Sequence, residues 1–102
     1  MAENIALTEA VYFILLTLTK PLHGYGIMQL TEQLSKGRVR LAAGTLYGAL
    51  NTLCDKGWIQ ELPVQAGSRK KEYVITDTGR EILENELNRL RQLVQAGEEM
   101  LK

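Results

Sequence analysis

The chain of 102 residues carries 12 Lys+Arg against 12 Asp+Glu, with 45% apolar and 6% aromatic residues, which fits one small globular domain and excludes a disordered or fibrous chain. A single cysteine, Cys54, and a single histidine, His23, exclude an internal disulfide framework and a clustered Cys/His zinc site. The longest apolar run, Ala10 to Leu16, is far short of the roughly 20 residues of a membrane-spanning helix, and Glu3 and Glu9 stand where a signal peptide would be basic, so a reduced cytoplasmic compartment without membrane contact is expected.

The neutral total hides an uneven distribution. Residues 1–34 carry one base against three acids, residues 35–80 eight against four, and residues 81–102 three against five. The middle is basic between acidic ends, which leaves polyanion binding open for that segment.

In chain order, Thr8 is an N-cap candidate, and Leu7, Val11, Ile14, Leu15 and Leu18 follow helical spacing. Phe13 and Leu16 make this first helix apolar nearly all round, so one face is expected to meet the core and the other a second copy of the chain. The stretch Lys20 to Gly24 stops it, with Pro21 unable to continue a helix. A short second helix carries Ile27, Leu30 and Leu34 and ends near Ser35-Lys36-Gly37. The basic segment Arg38 to Leu41 leads into a third helix opening at Ala42-Ala43-Gly44-Thr45, with Leu46, Ala49, Leu50 and Leu53 on one stripe and Gly57 as its C-terminal cap.

Two strand-like runs, Trp58 to Leu62 and Lys71 to Ile75, flank a loop, Pro63 to Lys70, whose far side is basic. Thr76 then caps a last helix with Asp77 at the positive end of its dipole. Along it Leu83, Leu87, Leu90, Val94, Gly97 and Leu101 step as a heptad seam, broadened by Ile82, Leu93 and Met100. This seam is expected to pack on Val11, Ile14 and Leu18 of a second subunit.

Helix, helix, basic turn, helix, hairpin, helix is the order of a winged helix-turn-helix, here mainly α with a small β-hairpin. The expected division is residues 1–75 as the winged domain and residues 76–102 as a dimerisation helix on the same domain. A third helix held by its apolar stripe can offer its other face to a major groove. That face holds Gly44, Gly48, Asn51 and Asp55, flanked by Thr45, Tyr47 and Thr52. Asn51 can bond adenine in bidentate fashion, and Thr45 can meet a thymine methyl or a phosphate. Arg69-Lys70-Lys71 at the loop end, and Arg38 and Arg40 ahead of the third helix, bracket this face with cations suited to phosphates.

The motifs Leu22-His23-Gly24-Tyr25-Gly26-Ile27, Gly44-Thr45-Leu46-Tyr47-Gly48-Ala49-Leu50, Gly57-Trp58-Ile59 and Lys71 to Arg80 occur in the order in which the PadR family of bacterial transcriptional regulators has them. From about Leu7 to Leu90 the sequence resembles that family, in its short branch with one C-terminal helix. The resemblance implies a homodimeric repressor on a palindromic operator, without cofactor, that lets go when a small molecule binds. It also implies backbone contacts to DNA from Tyr25 and Tyr47 and groove contacts from the basic wing. A small apolar effector is expected where the dimer helices meet, near Gly97 and Met100. The family often has Pro where Gly48 stands and a basic residue near Asn51 or Thr52, which implies weaker phosphate contacts from this third helix. Drug-sensing short-branch members can carry a Trp in the last helix, whereas Trp58 here stands at the wing base and reads as core.

His23 lacks a nearby acidic or Cys partner and reads as a capping or packing residue at the helix junction, and Cys54 as a small buried hydrophobe. No carboxylate pair, triad or Walker sequence occurs, so no enzyme is expected. A winged-helix interaction module without DNA binding is the alternative reading, favoured by the uncharged third helix.

Overall fold

Thr8 starts the first helix, α1 (Glu9–Thr17), by accepting the Val11 N–H at its Oγ1, 3.1 Å away. This satisfies one of the donors that a helix start leaves without an intrahelical partner. The computed structural model describes residues 6–64 and 66–102; Glu3 and Gln65, which entered the charge count and the hairpin loop above, lie outside the described residues. Ile14, Leu15 and Leu18 have no exposed surface, and the Leu18 carbonyl accepts the Ile75 N–H at 2.8 Å, which ties the end of α1 to the sheet.

After α1 come strand β1 (Leu22–His23), helix α2 (Gly24–Leu34), helix α3 (Ala43–Asp55), strands β2 (Ile59–Glu61) and β3 (Glu72–Ile75), and helix α4 (Asp77–Met100). The sheet has three antiparallel strands in the order β1-β3-β2, where the sequence predicts a two-stranded hairpin. Leu22 pairs with Tyr73 and His23 with Glu72. A strand of two residues has no periodicity to read, and its partner lies far along the chain. Its consequence is positional: the start of α2 is pinned to the root of the wing.

Both α2 and α3 end in Schellman motifs. At α3 the Trp58 N–H reaches the Leu53 carbonyl and the Gly57 N–H the Cys54 carbonyl, each at 3.0 Å, with Gly57 at φ +76°. At α2 the same pair of bonds forms around Lys36, a non-glycine residue at φ +54°. Leu46, Leu50 and Leu53 of α3 and Ile27 of α2 join the α1 residues, Ile59, Tyr73, Ile75 and Leu83 in one core. Each such aliphatic side chain contributes about 1.5–3 kcal/mol on burial.

The Thr76 hydroxyl joins two elements: it donates to the Gly57 carbonyl at 2.6 Å and accepts the Gly79 N–H at 3.1 Å. Gly79 lies so close to the Trp58 carbonyl that no side chain fits between them. On α4, Gly79, Leu83 and Glu86 are buried, while every residue from 91 to 102 is exposed. The interface expected from the seam therefore needs correction at three positions. Ile14 and Leu18 have 0% exposed surface and Leu83 has 7%, so all three are spent in the chain's own core. Leu87, Val94 and Leu101 stay exposed, and Leu90 and Val11 are half-buried.

Candidate nucleic-acid interface

Because β1 holds the start of α2 against β3, and α3 packs on α2, three separate stretches of chain meet in one groove. His23, Gly24, Tyr25, Tyr47, Arg69, Lys70 and Lys71 line it, around a volume of about 450 Å³. Tyr47 reaches across from α3, and its hydroxyl lies where any side chain at position 24 would stand, so Gly24 is what admits it. Tyr25 is 63% exposed and Tyr47 is 47% exposed, large values for aromatic residues with nothing covering them. Gln29 donates to the Tyr25 hydroxyl at 3.2 Å and orients it.

Two helix starts lack a side-chain cap. His23 caps α2 and Ala42 caps α3, and neither makes a side-chain cap hydrogen bond. First-turn N–H groups left in this way, with the positive end of the helix dipole, suit a phosphate. The wing cations line the same groove as the start of α2: Arg69, Lys70 and Lys71 are exposed, and among the described residues only Lys71 of the three approaches an acid, Glu61, at 4.0 Å. Pairs this exposed are worth about 0–1 kcal/mol, so the ammonium remains free to change partner.

On α3, Thr45 and Asn51 are exposed, as are Gly44 and Gly48, and a methyl added at either glycine would meet no heavy atom within 4 Å. The face is flat and open at its small residues. Thr52 spends its hydroxyl on the Gly48 carbonyl at 3.1 Å. Arg38 and Arg40 lie outside the main groove. Arg38 pairs with Glu9 of α1, and Arg40 stands 3.8 Å from Glu32 while lining a second groove with Tyr25 and Gln29. Both side chains are more than 70% exposed, so these too are weak pairs. Sequence reasoning misses His23 and Gly24 as groove residues; the motif around Tyr25 contains them, but their role depends on Tyr47 arriving from another helix.

Burial, with Glu61 and Asp55 nearby, pushes the Cys54 thiol above its ordinary pKa, which suppresses the thiolate that redox chemistry needs. Among the described residues no three His, Cys, Asp or Glu side chains come together as a metal site, and no helix is long and apolar enough to cross a membrane.

Residues 14–85 match the transcriptional regulator PadR-like family. The chain belongs to that family. This PadR-like chain has a winged-helix fold, and the family that it matches is one of transcriptional regulators. Its fold is similar to that of a PadR family transcriptional regulator from Eggerthella lenta DSM 2243, at 25% identity and a TM-score of 0.72 over 90% of this chain and 80% of that one. It is also similar to Bacillus subtilis PadR, solved in complex with operator DNA, at 25% identity and a TM-score of 0.64 over 76% of this chain and 45% of that one. An uncharacterised 37.1 kDa protein in transposon TN4556 of Streptomyces fradiae is 40% identical over 73 residues. Those residues are 72% of the PadR-like chain but 20% of that relative, so the chain spans about a fifth of its length.

Proposed function

We propose that this PadR-like chain is a homodimeric repressor that binds a palindromic duplex operator and is released by a small apolar effector. The groove carries the reading: Tyr25, Tyr47 and the Arg69-Lys70-Lys71 wing meet beside the exposed face of α3. Bidentate bonding by Asn51 and contacts from Thr45 read bases in the major groove, while the wing, Arg38 and Arg40 hold phosphates. The operator complex of the Bacillus subtilis relative supports duplex DNA as the partner.

The partner subunit covers the seam of α4 at Leu87, Leu90, Val94 and Leu101, with Val11 of α1 at its edge. Two-fold symmetry then requires recognition helices about 34 Å apart, one turn of duplex. The effector binds where the two α4 helices meet and favours a dimer geometry that misplaces both α3 helices.

Fluorescence anisotropy with the duplex upstream of the protein's own gene tests this. Tight binding that weakens steeply with salt, and more so for random duplex, is expected. No binding at low salt would leave an interaction module in its place. Leu90→Glu introduces an unpaired charge into the seam and should give monomer or aggregate by light scattering; a well-behaved dimer would refute the interface.

A further inference from the structure

Glu86 is the one charged side chain buried among the described residues, at 3% exposure. Its carboxylate joins distant parts of the chain. Oε2 accepts the backbone N–H of Leu7 at 3.0 Å, while Arg89 donates its Nε to Oε1 at 2.5 Å and its Nη2 to Oε2 at 2.9 Å. A carboxylate this buried, even when paired with the half-buried Arg89, is a poor stabiliser compared with an apolar side chain of the same volume. Leu83, one turn earlier on the same inward face, is such a side chain, so stability alone gives no reason for a carboxylate at the next inward position.

Location gives one. Glu86 is the last buried residue of α4, and beyond position 90 the helix is an exposed arm carrying Leu93, Val94, Met100 and Leu101. The clasp therefore sits where α4 leaves its own domain. On its other side, Leu7 precedes the N-cap of α1 and, with Val11, walls a groove of about 330 Å³ whose further lining includes Gly48, Ala49 and Leu53 of α3 and Trp58. Leu7 and the flank of α3 thus share the walls of one groove. Bonds from a backbone N–H and a guanidinium are directional, whereas an apolar contact between α1 and α4 would permit rolling and sliding.

We propose that Glu86, held by Arg89, is a positioning residue that fixes the angle at which the α4 arm leaves the domain, and so sets the spacing of the two α3 helices in the dimer. This rests on the dimeric, DNA-binding reading above.

The test uses the full chain and an operator selected from a random duplex pool, with half-sites moved one base pair closer or further apart. The wild type should prefer its own spacing by about tenfold or more, equivalent to about 1.4 kcal/mol. The variant E86L/R89L should remain a dimer with unchanged or raised Tm and unchanged affinity for random duplex, yet bind the three spacings alike. Glu86→Gln, which keeps an acceptor for the Leu7 N–H, should fall between. If E86L/R89L fails to fold, Arg89→Gln gives the same readout with Glu86 in place. A variant that folds, loses hydrogen-exchange protection at the Leu7 amide and still prefers the native spacing overturns the proposal alone. A wild type that is monomeric, or indifferent to spacing, overturns the dimeric operator reading and this inference with it.

Discussion

The four helices begin in two different ways. Thr8 and Thr76 cap α1 and α4 with side-chain hydrogen bonds, whereas α2 and α3 begin at His23 and Ala42 without one. Gly79 of α4 lies against the Trp58 carbonyl with no space to spare and Gly44 and Gly48 of α3 face open space, whereas Gly24 of α2 is filled by the Tyr47 hydroxyl. On the α1/α4 side both helix starts are capped by side chains, and Glu86 of α4 clasps the backbone of Leu7 just ahead of α1. The wing side keeps helix starts without side-chain caps, weakly paired cations and exposed tyrosines. Left to water these groups contribute little to stability, and they become favourable contacts with a polyanion in place.

Breaking the packed side should produce the largest effect. Gly79→Ala places a methyl on the backbone of Trp58, which cannot give way as the end of a flexible side chain could, so a loss of about 3 kcal/mol is expected. A urea midpoint near that of the wild type would mean that α4 moves off the sheet cheaply. On the open side, replacing Arg69, Lys70 and Lys71 by Ala should leave the urea midpoint alone. It should weaken operator and random duplex together and flatten the slope of log affinity against log salt by about 0.9 for each phosphate that is no longer neutralised. An unchanged slope would remove the wing from the DNA-binding surface.

The same division explains what was legible in the sequence. Thr8, Thr76 and Gly57 act on neighbours within a few positions, so capping rules place them correctly. The third-helix stripe Leu46, Leu50 and Leu53 follows from periodicity alone. Periodicity says which face is apolar, however, and not which surface covers it; for that reason it sends Ile14, Leu18 and Leu83 to a second subunit when their own core takes them. Strand β1, the fit of Tyr47 over Gly24, and the Glu86 clasp to Leu7 each join residues far apart in sequence. No local pattern encodes them.

The clasp predicts a smaller, pH-dependent effect. Hydrogen bonding from Arg89 foremost, with the Leu7 N–H adding to it, holds the Glu86 carboxyl below its ordinary pKa despite burial. The unfolded chain therefore takes up this proton more readily than the folded one, and stability rises with pH across the carboxylate range. The contribution is complete above the unfolded value of about 4.3 and is lost as pH falls through the lower folded value. Urea unfolding of wild type and Glu86→Gln between neutral and acid pH should show their difference shrinking on acidification. A constant difference would mean that the carboxylate is not coupled to folding.

The smallest expected change separates stability from binding on the open side. Gly48 lies within α3, is exposed and has nothing within 4 Å of an added methyl. Alanine at an exposed position in a helix should raise stability by about 1 kcal/mol, because glycine loses more backbone freedom on folding. If duplex DNA approaches α3 at this turn, the same methyl occupies space the DNA needs, so Gly48→Ala should be more stable yet bind the operator more weakly. Random duplex, held by the wing and the helix starts, should be affected less. A variant with raised stability and full operator affinity would place the duplex away from this turn of α3, and base reading would then have to come from the helix start at Thr45.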